Sequence, residues 1–142
     1  MENSSSAVSA LSVLIVSHHT LVREGFKAML AHTPFTVVCE RESVRSAVEQ
    51  PPGNVALVLM DVSLGEEAVE RLKTLRATYP HARIACYSPS VSLPLKTLNA
   101  IFGQSVDGWL LSSSPPEVLC QSLELIMMGE RVLPFSLIAE PM

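Results

Sequence analysis

The chain is 142 residues long, which suits one domain whose single apolar core needs neither disulfides nor a metal to hold it. Its 48% hydrophobic and 17% charged content excludes a disordered tail. Ten Lys and Arg against 14 Asp and Glu leave a net charge of −4, so this segment has no broad basic face for a phosphate backbone, and direct nucleic-acid binding by it is not expected.

Residues 1–10, MENSSSAVSA, show neither periodicity nor large apolar groups and read as a flexible N-terminal arm. The start has no basic leader, and its apolar stretch is too short and serine-broken to span a bilayer, so a cytoplasmic location without a membrane segment is expected. A first strand follows at Ser12–Val16. Leu21, Val22, Phe26, Met29 and Leu30 then share one face of a helix that must stop before Pro34. Phe35–Glu40 reads as a second strand, Ser43–Glu49 as a short helix, and Val55–Met60 as a third strand that runs straight into Asp61. Val69, Leu72 and Leu75 mark a helix closed by Pro80, after which Arg83–Ser88 is the fourth strand, Leu95–Phe102 a short helix and Gly108–Leu111 the fifth strand. The last helix is the clearest: in SSPPEVLCQSLELIMMGER, Ser114 is placed as N-cap, Pro115 in the first turn, Glu117 at the capping-box position and Gly129 at the stop. Residues 135–142 read as a tail or the start of a linker.

Short runs rich in β-branched residues, alternating with helices, predict a parallel sheet buried on both faces and joined by right-handed crossovers. The fold class is therefore α/β, a doubly wound domain. In such sheets the functional crevice lies beyond the carboxyl ends of the strands, where Asp61 falls.

Several chemistries are disfavoured by the residues themselves. The first strand-to-helix turn, VSHHTLVREG, has no glycine ahead of the helix to admit a pyrophosphate. His18 and His19 are neighbours that rarely point the same way, His32 and His81 sit at helix ends, and no second group has ligand spacing, so no metal site is expected. Ser17 beside His18 gives no warrant for a triad, and no nucleophile carries an attached base; the chain is not expected to be an enzyme. Cys39, Cys86 and Cys120 lie apart in apolar segments, as buried structural thiols do. For Asp61, spacing alone leaves a turn-forming or capping role and a site role both open.

The series VLIVSHHTLVREGFKAML, VALVLMD, RIACYSPS, DGWLLSSSPPEVL and GERVLP resembles the receiver domain of bacterial two-component response regulators, nearest to those followed by a LuxR-type helix-turn-helix domain, the NarL-type branch. The similarity covers 11–134 in the right order, and LVREGF, DGWLL and GERVLP are the segments most particular to that branch. It implies a flavodoxin-like, CheY-like (βα)5 domain with strand order 2-1-3-4-5, in which Asp61 holds the place of the aspartate that accepts a phosphoryl group from a histidine kinase. Ser88 matches the fourth-strand switch hydroxyl and Trp109 the aromatic switch position. Ser17 and His18, however, stand where the family has its Mg²⁺-holding acidic pair, and Ser112 where it has a lysine. His19 agrees with the branch, and the loop DVSLGEEAV is shorter than usual and lacks the Met-Pro or Leu-Pro step.

Mg²⁺ prefers several oxygen ligands, so one retained carboxylate should bind it weakly or not at all, and no cofactor is expected. The resemblance thus implies an atypical receiver that takes part in signal transduction and transcriptional control through protein contacts, either with a second receiver as a homodimer or with an output DNA-binding domain. Two alternatives remain: a working phosphoacceptor, labelled on Asp61 by a histidine kinase while Ser17, His18 and Ser112 take over the lost roles, and a small-ligand sensor whose crevice, relieved of two acids, is open to an anion or metabolite. Leu95, Leu98, Ile101, Phe102, Met127 and Met128 are candidates for an apolar contact surface, although core packing is the ordinary role at helical spacing. Met127 and Met128 are adjacent and cannot both face inward.

Overall fold

A computed structural model of the chain describes residues 11–62, 67–89 and 105–133. The N-terminal arm, the helix expected at Leu95–Phe102 with its four apolar candidates, most of the loop after Asp61 and the 135–142 tail lie outside the described residues. The elements are β1 (Ser12–Val16), α1 (Thr20–Leu30), β2 (Thr36–Arg41), α2 (Val44–Glu49), β3 (Leu57–Asp61), α3 (Glu67–Thr78), β4 (Arg83–Ser88), β5 (Gly108–Leu111) and α4 (Pro116–Met127). The five strands form one parallel sheet in the order β2-β1-β3-β4-β5, as the resemblance implies.

Strand alternation divides the core between the two faces of this sheet. Leu14, Val16, Val58, Met60, Ile84 and Trp109 pack on one side with residues of α2 and α3. Val13, Ile15, Leu57, Leu59 and Leu110 pack on the other with Phe26 and Leu30 of α1 and with Leu119, Leu123 and Ile126 of α4. Both faces are covered by buried apolar side chains, which is what a doubly wound sheet requires.

Several local expectations are corrected. β3 begins at Leu57 and includes Asp61 as its last residue, opposite Tyr87 of β4. β2 starts one residue late, at Thr36, and is not buried on both faces, because it is an edge strand. A bulge shifts its register between Val37 and Cys39, and the residue passed over, Val38, is exposed. Leu21 is 84% exposed and does not join Phe26 and Leu30 in the core. At about 3.6 residues per turn it lies nearly half a turn away from Phe26 and Leu30, on the opposite face of the helix. Ser114 is not the N-cap of α4; extended Pro115 takes that place and Pro116 fills the first helical position, where its missing N–H costs nothing. Cys86 is buried as expected, whereas Cys39 and Cys120 are only half-buried; all three are free thiols.

Two devices hold the far end of the sheet. The Arg76 guanidinium at the end of α3 donates to the carbonyls of Tyr79, Ala82 and Ser105 and to Asp107 Oδ2 at 2.8 Å, while the same carboxylate oxygen accepts from the Ile84 N–H at 2.9 Å. After α4, Gly129 takes the left-handed conformation (φ 99°), and the N–H groups of Gly129 and Glu130 donate to the carbonyls of Ile126 and Leu125. This is a Schellman termination, and it returns the chain so that Val132 bridges Gly108 at the edge of β5.

Candidate functional site

Ser17 follows β1 at the carboxyl end of the sheet and is 3% exposed. Its N–H donates to the Arg41 carbonyl at 3.0 Å, continuing the β1–β2 ladder by one residue. Its carbonyl accepts from the Arg23 guanidinium, which also donates to Glu40 Oε1 at 3.2 Å. Lys27 reaches the other oxygen of Glu40 at 2.9 Å and Glu24 at 2.7 Å, and hydrogen bonds to these two carboxylates raise the Lys27 pKa. α1 is thus tied to β2, and the loop between β1 and α1 is held from beneath.

The Ser17 hydroxyl donates to Asp61 Oδ2 at 2.7 Å across 44 residues of sequence, and its oxygen accepts from the His19 N–H at 3.1 Å. A hydroxyl has one proton to give. Here that proton is committed to the carboxylate, and the backbone amide of His19 fixes the direction in which it points.

Tyr87 completes this side of the site. As the Cα partner of Asp61, and with its ring edge-on to Phe26 at 4.7 Å between centroids, it stands on the α1/α4 face of the sheet. Burial raises the Tyr87 pKa, the nearby Asp61 charge raises it further, and a hydrogen bond with Ser112 opposes both. Sequence reasoning missed Tyr87, although alternation from Ser88 puts residue 87 on the opposite face from Ser88 and strand register puts it next to Asp61. Arg23 was also missed, being read only as part of LVREGF.

Trp109 and the Ser88 it bonds belong to the other face. Trp109 is 1% exposed, and its Nε1–H donates to Ser88 Oγ at 2.9 Å within the core. The Ser88 carbonyl accepts from the Ser112 N–H at 2.9 Å, which fixes the start of the turn after β5. Of the residues singled out in the sequence, the fold therefore joins Ser17 to Asp61 and Ser88 to Trp109. Ser112 borders both groups. His18 is exposed, with its ring 4.0 Å from that of His19.

Asp61, Ser17 and His18 also form one wall of a cleft of about 670 Å³ that runs between α2 and α3. Val16, Val44, Val48, Met60 and Val62 give it an apolar lining. Its charged residues are Glu42, Arg45 and Glu49 on the α2 side and Glu70 and Arg71 on the α3 side.

No family model matches the chain. It is 28% identical over 129 residues to a nitrate/nitrite response regulator protein homolog of Haemophilus influenzae, covering 87% of this chain and 60% of that protein. To the nitrate/nitrite response regulator NarP of Escherichia coli it is 29% identical over 123 residues, covering 84% and 56%. The chain thus spans a little over half the length of these curated relatives. Among solved structures, a LuxR family DNA-binding response regulator from Silicibacter pomeroyi is 30% identical with a TM-score of 0.71, covering 89% of this chain and 98% of that one. The isolated REC domain of RcsB from Salmonella enterica, solved with a phosphomimetic, superposes with a TM-score of 0.75 at 20% identity, covering 90% and 96%, which speaks for the fold. With the strand order, the position of Asp61 at the end of β3 and these relatives in agreement, the chain belongs to the receiver domains of two-component response regulators, in their LuxR/NarL branch.

Proposed function

We propose that this receiver signals through protein contacts and not through Mg²⁺-assisted phosphorylation of Asp61. The observation that carries the reading is the 2.7 Å bond from Ser17 Oγ to Asp61 Oδ2. In the resembling receivers the position of Ser17 belongs to a carboxylate that helps to hold the metal. Here it supplies a donor that occupies an oxygen of the phosphoacceptor itself.

The donor set supports the same reading. Mg²⁺ seeks hard oxygen ligands in near-octahedral geometry, and the strand ends offer one carboxylate beside a hydroxyl and an imidazole, a poor fit. Among the described residues, no three His, Cys, Asp or Glu side chains gather closely enough to hold a metal ion. With Ser112 in the lysine's place, no fixed cation stands after β5 to offset charge on a transferring phosphoryl group, and such offsetting supplies most of the catalysis in phosphoryl transfer. The bond from Trp109 to Ser88 holds these two side chains together in the core.

The output then depends on surfaces. A second receiver or a DNA-binding output domain is the proposed partner, with transcriptional control as the consequence and the cytoplasm as the location. Among the described helices none is long and apolar enough to cross a membrane. The outcome at the adjacent methionines is consistent with a contact surface on α4: Met127 packs against the core, and Met128 is 77% exposed.

Incubation with acetyl phosphate and Mg²⁺, followed by intact-mass measurement, tests the proposal. No stoichiometric adduct is expected. Metal-dependent addition of one phosphoryl group that disappears in Asp61→Asn would instead establish a working phosphoacceptor, served by a histidine kinase.

A further inference from the structure

The cleft between α2 and α3 has a use that the contact-driven reading does not assign to it. Its volume of about 670 Å³ falls within the range of roughly 300–1,000 Å³ typical of small-molecule sites. The apolar part of its lining is formed by valines of β1 and α2 together with Met60 and Val62. A ligand body that displaces water from such a surface gains about 25 cal/mol per Å² buried.

The charges around this lining choose the ligand's sign. Loss of the acidic pair at Ser17 and His18 suggested from sequence a crevice open to anions, but the folded cleft brings in carboxylates from elsewhere. Glu42, Glu49, Asp61 and Glu70 line it against two guanidiniums, those of Arg45 and Arg71. Arg45 is already engaged by Glu49 at 3.1 Å and Glu70 by Lys73 at 3.7 Å, which cancels those pairs and leaves Glu42 and Asp61 against Arg71. Among the described residues, Glu42 has no ion pair or side-chain hydrogen bond and the Asp61 carboxylate accepts only from the Ser17 hydroxyl, which leaves its charge in place. An anion entering here meets an excess of negative charge, whereas a cation finds Asp61 and Glu42 at the rim of an apolar slot.

We propose that this cleft binds a small organic cation with an apolar body, an alkyl- or arylammonium, with Asp61 and Glu42 facing its charged nitrogen and the Val44, Val48 and Met60 side chains its hydrocarbon. The proposal deepens the phosphorylation-independent reading and rests on it: Asp61, not spent on a phosphoryl group, serves as a counter-charge. Occupancy would join the ends of β1 and β3 to α2 and α3 and so provide a reversible input at the place where the family is covalently modified.

The test is titration of the ¹⁵N-labelled chain with n-hexylammonium chloride, sodium n-hexanoate and 1-hexanol at matched ionic strength. Hexylammonium is expected to shift the amides of Val44–Glu49 and Glu70–Thr74 saturably, hexanol to bind more weakly and hexanoate not at all. Glu42 is exposed, so Glu42→Gln leaves the fold intact, and it is expected to weaken hexylammonium by about two- to fivefold, the range of an exposed ion pair. Equal or tighter binding of hexanoate, equal binding of hexanol, an unchanged affinity in Glu42→Gln, or no saturable shift with any of the three overturns the proposal. Acetyl phosphate labelling of the same sample keeps the two readings apart. An adduct on Asp61 removes the contact-driven reading while the hexylammonium titration still reports on the cleft by itself.

Discussion

Asp61 has two possible employments, and removing the Ser17 hydroxyl separates them. If the 2.7 Å bond is a structural tie between β1 and β3, Ser17→Ala lowers stability by about 1 kcal/mol, and Asp61→Asn by less, because an amide oxygen still accepts the bond. Trp109 is the one tryptophan of the chain, so urea unfolding followed by its emission reads the effect cleanly. Ser17→Ala and Asp61→Ala should be coupled by about 0.5–1.5 kcal/mol in a double-mutant cycle, and strictly additive effects would show that the two side chains do not depend on each other. Much of the site at this scale was legible: the positions of Asp61, Ser88 and Trp109 follow from strand ends, which apolar runs mark well. The bond between Ser17 and Asp61 was not legible. Sequence places two residues at neighbouring strand ends, but the rotamer that points a hydroxyl at a carboxylate is chosen by the His19 amide and by the Arg23 clamp on the Ser17 carbonyl. Tyr87 was hidden for a related reason, since a tyrosine in an apolar strand reads as core until the register sets it beside Asp61.

Elements followed the sequence closely wherever their limits are set within the segment itself. β1, β4 and β5 begin and end where the short apolar runs do, and Gly129 stops α4 because only its left-handed backbone closes the Schellman turn without strain. Where a neighbour sets the limit, the reading slipped: β2 is displaced by a bulge against β1, and β3 is trimmed at its start and extended to Asp61 by pairing with β4. Helix–sheet packing was likewise invisible at Gly108. A Cβ built there would lie 2.3 Å from Ile126 Cδ1 and 2.9 Å from Cγ1, so α4 approaches β5 as closely as a bare backbone permits. Gly108→Ala should therefore cost about 1–3 kcal/mol in urea unfolding, the usual range for overpacking a filled core. Pairing it with Ile126→Val, which removes Cδ1, should restore part of the loss, and an undiminished penalty in the double variant would place the strain in the backbone and not in this contact.

At the scale of the whole molecule, the sheet is covered on both faces, yet the α1/α4 side still presents apolar residues to solvent. Leu21 of α1 and Met128 after α4 are largely exposed, and Val118 and Leu125 of α4 are about half exposed. Val118 and Leu125 are seven residues apart and share a stripe, while their neighbours Leu119, Leu123 and Ile126 point inward, so the stripe is surplus to the core. Four such side chains do not by themselves make an interface of about 800 Å² per partner. Self-association through this face is accordingly expected to be weak and concentration-dependent. Sedimentation of the chain over a range of concentrations should show a monomer–dimer equilibrium, and Met128→Glu should shift it to monomer with an unchanged melting temperature, since an exposed side chain adds little to folding. A melting temperature lowered by several degrees would instead mean that Met128 supports the fold, and an undisturbed equilibrium would move the contact away from α4.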